Sequence, residues 1–571
     1  MAIWLVVVVL FAPTAWFGFV NYDDTDYVVQ NEHVNTGFSL ENLKWSFNCG
    51  YSSNWHPGCW WSLMFDAEIC RRLGLSEGVD PSKADIFSAG HDGNPAMAHI
   101  MHVHNVLLHA CNAVLLFLLL VTIAGFPEDE RGTGENWRDC MVAAALLALL
   151  WSVHPLRCEV VCWISERKEL LCVFWMLLAM LAWTGGRKIF VFPCFLAALL
   201  CKPVAVTLPV TLFAWDWLVK GRNFWRTALS VSPFMALSAA VSVVTVLAQD
   251  EAIAMAHTYT VPHRMAIALF SPIVYLWQMV WPTGLTPYYA DVPIPHWVQI
   301  ACGAAFLAGL VWIFVLGAKK RGKCGWFWVF GAVWAYVALL PMLGIIKVGA
   351  QEHSDRYTYW AGCGLCAMVM LAVRHHGAAM ALVCGRKQVF GALIALLAVL
   401  AFFQSRHWRD SYTLFSYAVP IRCHAEMCAD LAERYAKRGR EGVRRGEAML
   451  RESLAQNRSE DAYALLAEFL ARHREEEGLK GFGIGGDVMG EAEYFAEIAL
   501  GENPRCACAW RAKGFIALRR EQYADSVRFF EKAIELDRRN HKIASFLPGL
   551  REKAAEAARR ETGSGTGKVG R

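Results

Sequence analysis

Apolar stretches recur along the first four hundred residues, at about 1–20, 103–125, 139–156, 169–184, 189–218, 227–248, 264–281, 298–317, 325–348, 357–373 and 388–404. Short polar turns separate them, and most approach the length a helix needs to cross hydrocarbon. Pro193, Pro203 and Pro209 interrupt the 189–218 stretch, which predicts two short helices packed inside the protein. Basic turns at Arg187-Lys188, Lys220–Arg226, Lys319–Lys323 and Arg374–Lys387 mark the cytoplasmic side. The loop after the first stretch, the Glu166 region and the Asp355 region then share the opposite face. Three stretches lie between the second and third basic turns, where an even number is required. The 264–281 stretch, flanked by Pro262 and Pro282, is therefore expected to be a re-entrant or surface helix.

The first loop, 21–102, is polar at its start and amphipathic further on. Ser39 is placed to cap a short helix over LENLKWSF. Pro57 opens a second helix that Gly74 ends, and Trp60, Trp61, Met64 and Phe65 predict that it lies along the membrane surface. Residues 75–98 are Gly- and Asp-rich and read as a loop. From about Ala425 the chain changes to charged, Ala-rich helical periodicity. The stretch AWRAKGFIALRREQYADSVRFFEKAIELDRRN matches a tetratricopeptide repeat, with Trp510, Gly514, Tyr523, Phe530 and Ala533 at its size-restricted positions. A repeat from about 459 carries a Gly-rich insertion near 478–490. A weaker one spans 426–457, and 541–559 is a capping helix. The fold class is all-α: a polytopic membrane domain over 1–410, a short repeat solenoid over 425–559 and a disordered tail at 560–571.

Composition agrees. Hydrophobic residues make up 56% of the 571, too many for a soluble globular chain, and 24 tryptophans suit interfacial belts. The net charge of +4 gives no case for nucleic acid. Met1–Val20 has neither a basic start nor a small-residue cleavage site, so it reads as an uncleaved first helix. The cysteines lack paired spacing for a zinc site, and a disulfide among Cys49, Cys59 and Cys70 is one reading of the first loop.

Asp23, Asp24 and Asp26 open that loop. Judged alone, adjacent carboxylates fit a solvated turn best; at a lipid–water boundary they also suit a general base or a cation grip, a reading raised by the charged motifs further along the chain. A divalent ion on Asp23, Asp24 and Glu32 would lack a defined ligand set. Asn105, His109 and Asn112 recur at i, i+4 and i+7, which fits an interhelical hydrogen-bond network better than a metal site with His102 and His104. In HPLRCEVVCWISERKELL (154–171), Glu159, Trp163 and Glu166 would share one helix face, with Arg167 and Lys168 beside them. Lys202, Asp216, Lys347 and the run Glu352–Tyr357 add further ionisable groups within apolar surroundings. A carboxylate opposite cations at a membrane surface suits transfer from a lipid phosphate: one deprotonates the acceptor hydroxyl, the others stabilise the leaving group.

The motifs FVNYDD, NWHP, HNVLLHACNAVLLF, WSVHPLRCEVVCWISERKELL, LLCKPVAVTLPVTLFAWDW, SDRYTYW and HWRDSYTLFSYA occur in that order before the repeats. Together they resemble the transmembrane and tetratricopeptide-repeat O-mannosyltransferases and their bacterial relatives. The resemblance implies a GT-C-type inverting glycosyltransferase fed by a polyprenyl- or dolichyl-phosphate sugar. By that analogy Asp23 is the base and Asp24 orients the base or the acceptor. Arg356, Arg167 and Lys168 bind the donor phosphate. His56, His109, Asn105, His154, Glu166 and Asp355 line the substrate pocket. The repeats would receive an acceptor protein. The expected setting is a bacterial inner membrane with loop and repeats in the periplasm, or the endoplasmic-reticulum membrane. The departures are Arg538 in place of a closing proline, Ser526 in place of alanine, and the 75–98 excursion. The competing reading is a catalytically inactive, membrane-anchored repeat scaffold. A transporter is disfavoured because the charges gather at one face rather than the midplane.

Overall fold

The computed structural model describes residues 1–48, 51–75, 93–125, 134–249, 260–289, 294–319, 324–345, 351–375, 383–473, 488–537 and 541–564. Every regular element among them is helical. The chain forms two compact units. The first holds 1–77 and 94–410, and the second takes most of its residues from 411–571.

In the first unit the chain-order helices are α1 (Ala2–Phe11), α2 (Pro57–Arg72), α3 (Pro95–Ile123), α4 (Gly134–Ser152), α5 (Cys158–Cys162), α6 (Arg167–Thr184), α7 (Val191–Leu199) and α8 (Leu208–Ala214). They are followed by α9 (Phe224–Ala248), α10 (Val261–Val280), α11 (His296–Lys319), α12 (Cys324–Leu339), α13 (Thr358–His375) and α14 (Lys387–Arg406). Four helices among the described residues are long and apolar enough to span a membrane: Pro95–Ile123, Phe224–Ala248, His296–Leu316 and Lys387–Arg409. A fifth arises if Trp137–Ser152 and Pro155–Cys162, bent by 59°, count as one. This is fewer than the hydropathy pattern suggests, because helices such as α7 and α8 are stopped short. The 189–218 stretch does run as two short helices, α7 and α8, with Pro203 opening a 3-10 turn between them. The 264–281 stretch lies within α10, a continuous helix of 20 residues that packs against α11.

The surface-helix reading of α2 needs correcting. Trp60, Leu63, Met64, Ala67 and Cys70 are buried, and with Tyr27, Val34, Met97 and Met101 they form the core of the first loop. Burying a side chain such as Trp60 or Leu63 contributes about 2–3 kcal/mol, so this loop folds around its own core instead of spreading on lipid. Phe65 alone of the four residues is largely exposed. Cys59 and Cys70 are free thiols, and Cys49 lies outside the described residues. The 75–98 excursion also falls mostly outside them, but Asn94 caps α3 and residues 95–98 are helical.

The second unit stacks α15 (Ala425–Ala436), α16 (Arg440–Gln456), α17 (Glu460–His473), α18 (Val488–Glu502), α19 (Ala507–Arg519) and α20 (Tyr523–Leu536) as three hairpins, with α21 (His541–Ser564) after them. The last helix extends five residues into the expected disordered tail; 565–571 and most of the 478–490 insertion lie outside the described residues. Small residues set the spacing. A Cβ on Gly514 would collide with the Phe530 ring, and one on Gly446 would sit 2.8 Å from Phe469 Cζ. Ser526 fits where alanine is usual because its hydroxyl donates to the Gly514 carbonyl at 2.8 Å.

Candidate functional site: a buried ion network under the first loop

The 154–171 run is not one helix. Trp163 adopts an extended conformation (φ −100°, ψ 118°), separating α5 from a 3-10 turn at Ile164–Glu166 that leads into α6. Glu159 and Glu166 therefore do not share a helix face as expected. The break sets both carboxylates around Arg356, which ion-pairs with Glu159 Oε1 and approaches Glu166 Oε1 at 3.4 Å.

Glu166 is the hub. Lys202 Nζ lies 2.9 Å from Glu166 Oε2 and 2.8 Å from Glu169 Oε2, while Lys168 Nζ lies 3.4 Å from Glu166 Oε1. Burial pushes the Glu166 carboxyl upward, but Lys168, Lys202 and Arg356 outweigh it and hold the group at about 2. Aromatic faces close the network. Lys168 sits 4.7 Å over Tyr27, whose hydroxyl it reaches at 3.0 Å. Arg356 sits 5.4 Å over Trp163, and Trp163 stacks on Trp408.

The first loop is fastened to this network by Asp24. Its Oδ1 accepts from the Ser165 N–H at 2.9 Å and the Ser165 hydroxyl at 2.5 Å, and its Oδ2 accepts from the Val20 N–H at 3.0 Å. Asp24 is fully buried, which pushes its carboxyl up to about 6. Its neighbour is different. Asp23 is half-buried, acts electrostatically on Lys168 and Tyr27, and has no hydrogen bond to its carboxylate among the described residues. His56 stacks on Tyr27 and feels Lys168 and Glu166; burial holds its imidazole well below the usual range, so it is neutral. Its Nε2 has no partner among the described residues.

The structure thus gathers Asp23, Asp24, His56, Glu166, Lys168 and Arg356. The remaining expected site residues lie elsewhere or are otherwise engaged. Arg167 is wholly buried, paired to Asp66 Oδ2 at 2.9 Å, and donates to Ser62 Oγ (2.9 Å), the Met101 carbonyl (2.7 Å) and Asn105 Oδ1. Asn105 in turn donates to the Trp163 carbonyl at 3.1 Å. His109 donates to the Ser152 carbonyl (2.9 Å) and accepts from Tyr359 (2.8 Å), and Asn112 donates to the Leu170 carbonyl. These groups form the interhelical network that their spacing suggests. His154 accepts from the Leu156 N–H and donates to the Met279 carbonyl, capping a turn. Asp355 accepts from Tyr289 (2.7 Å) and Gln278 (3.3 Å). Lys347 lies outside the described residues.

Sequence reasoning singled out Lys202 but gave it no role. Tyr27 and Glu169 were missed as members of the cluster, and Trp163 was expected beside the glutamates but on a continuous helix. The Glu166–Glu169 spacing at the start of a helix was a usable signal; nothing local marks Tyr27. No group of three or more His, Cys, Asp or Glu able to hold a metal occurs among the described residues. Chemically, the cluster offers a half-buried carboxylate beside cations whose ion pairs are partly loose. Searches with protein-family models and against curated proteins match nothing to this chain.

Proposed function

We propose that the first unit is a membrane glycosyltransferase using a polyprenyl- or dolichyl-phosphate sugar, with Asp23 as general base. The observation that carries this reading is the contrast between two adjacent aspartates. Asp24 is locked by three hydrogen bonds, and Asp23 faces the cations with its carboxylate unclaimed. In the proposed step the Asp23 carboxylate takes the acceptor hydroxyl proton as that oxygen attacks the anomeric carbon. The bond from that carbon to the phosphate oxygen breaks with inversion, and the lipid phosphate leaves with the electron pair. Lys168 is the first cation available to the developing charge, because among the described residues its one carboxylate ion pair is a 3.4 Å approach to Glu166. Arg356 is the second, and Arg167 drops out because Asp66, Ser62, Asn105 and the Met101 carbonyl hold it. The three hairpins of the second unit, read as tetratricopeptide repeats, would recruit an acceptor polypeptide.

One observation favours a second reading. Lys168, Lys202 and Arg356 are each matched by glutamates, so the network also suits a purely structural role under a scaffold. Sugar transfer from labelled polyprenyl-phosphate donors, in membranes carrying wild type or Asp23→Asn, separates the two. Transfer lost in the variant supports the enzyme; transfer equal in both removes Asp23 as base, and a function insensitive to Asp23→Asn but abolished by deleting 425–571 supports the scaffold.

A further inference from the structure

A second polar site lies at the other end of α6. The chain turns after Thr184, and Lys188 joins Asp216, Arg222, Asn223, Arg226, Thr227 and Ser230 around a cavity of about 460 Å³. From Lys168 to Thr184 the helix rises about 24 Å, so this cavity is remote from the ion network. Three cations and one carboxylate line it. Arg222 Nη1 is bonded to Asp216 Oδ2 at 2.6 Å, whereas Lys188 rests 4.3 Å over the Trp183 ring and makes no salt bridge among the described residues. The wall is also the first turn of α9. Asn223 caps that helix by accepting from the Arg226 N–H at 3.2 Å, and first-turn N–H groups of a 25-residue helix favour an anion.

A separate observation calls for a ligand. Thr227 is 2% exposed, lines the cavity, and its hydroxyl has no hydrogen-bond partner among the described residues. Most buried hydroxyls are satisfied, and leaving one unmade costs stability unless something occupies the space beside it. The surroundings indicate the source of that something. Ile189, Phe190, Phe224 and Trp225 are 81%, 57%, 41% and 73% exposed beside the cavity residues, and α9 is itself long and apolar enough to span a membrane. Large exposed apolar side chains beside cations suit the interface, where acyl chains meet head groups.

We propose that this cavity binds the phosphate of an anionic lipid head group, on the membrane face opposite the ion network. Lys188 and Arg226 supply charge, the α9 first turn and Thr227 supply hydrogen-bond donors, and Asp216 holds Arg222 back from the ligand.

The test uses the purified full chain in neutral detergent, with calorimetric titration of dioctanoyl phosphatidic acid, dioctanoyl phosphatidylcholine and inorganic phosphate. Phosphatidic acid is expected to bind at least tenfold more tightly than either of the others. Lys188→Gln with Arg226→Gln should weaken it at least tenfold, and Thr227→Val severalfold. Asp216→Asn releases Arg222 and removes the one negative charge, so it should tighten binding severalfold, a gain that a misfolded variant cannot produce. Equal binding of phosphatidylcholine, or wild-type affinity in the double variant, would overturn the site. Inorganic phosphate binding as tightly as phosphatidic acid would overturn the lipid in favour of a soluble phosphate.

Discussion

Ser165 donates to the same oxygen of Asp24 twice, from its backbone N–H at 2.9 Å and from its hydroxyl at 2.5 Å. This bond pair spans 141 residues of sequence and ties the exit of α1 to the turn before α6. Because Asp23 is the next residue, its position beside Lys168 depends on the Asp24 tether. Ser165→Ala is expected to lower stability by about 1.5–3 kcal/mol, since one charge-assisted bond to a buried group is lost. Thermal unfolding in detergent checks it, and transfer activity should fall with it if the tether positions the base.

The pH dependence of stability should carry Asp24's signature. Burial holds its carboxyl at about 6, above the ordinary 3.8, so the folded chain keeps that proton longer than the unfolded chain does. Stability then falls as pH rises from about 4 to about 6, by on the order of 3 kcal/mol for this group alone. Asp24→Asn should flatten melting temperature over that window.

Glu166 works in the opposite sense. Its folded carboxyl sits at about 2, below the ordinary 4.5, because three cations outweigh burial. The stability it contributes is present above about 4.5 and is lost as pH falls toward 2. Glu166→Gln should remove that acid-side loss, while lowering stability at neutral pH by leaving Lys202 and Lys168 short of a partner. Unfolding midpoints measured from pH 3 to 8 in both proteins distinguish the two carboxyls.

Asp23→Asn should leave the melting temperature within about 1 kcal/mol of wild type in stability terms, because no described hydrogen bond to its carboxylate is lost. If it is the base, kcat for sugar transfer falls by about 10²–10⁴. If Lys168 meets the leaving phosphate as proposed, Lys168→Gln should instead raise KM for the lipid-phosphate donor as well as lowering kcat. Arg167→Lys separates structure from binding: it breaks a buried fork to Asp66 and Ser62, so the expected effect is lost stability with KM unchanged in whatever enzyme folds.

In the second unit, Gly514→Ala drives a methyl into Phe530 and should cost about 1–3 kcal/mol. Adding Phe530→Leu should recover part of that loss, and the four unfolding free energies of the double-mutant cycle measure the coupling.

How much was legible in the sequence varies by element. Hydropathy and periodicity located nearly every long helix, since α3, α9 and α14 announce themselves by predominantly apolar stretches and α19 and α20 by size-restricted positions. The i, i+4, i+7 spacing of Asn105, His109 and Asn112 was enough to foresee an interhelical network. What stayed hidden were contacts between segments distant in sequence. Nothing near Tyr27 says that Lys168 will lie over its ring, and nothing near Arg167 says that Asp66 will claim it. The break at Trp163 falls in a run of weak helix formers, VVCWIS, and the extended residue there lets Ser165 reach Asp24 and both glutamates reach Arg356. The loop helix α2 misled for a simpler reason: a stripe of tryptophan and methionine looks the same whether protein or lipid covers it.

Helix α6 carries Lys168 at one end and delivers the chain to Lys188 at the other. A helix of that length is stiff, so it behaves as a lever with the packed centre as fulcrum, where Val173, Met176, Leu177 and Met180 are wholly buried. Tilting it by about 5° moves each end by about 1 Å in opposite directions, given a rise of about 24 Å between Lys168 and Thr184. A misplacement of about 1 Å at a reacting centre costs roughly 100-fold in rate. If the Lys168 cluster is the reacting centre and the Lys188 cavity holds a lipid phosphate, as proposed above, occupancy of the cavity would be mechanically geared to alignment at the cluster.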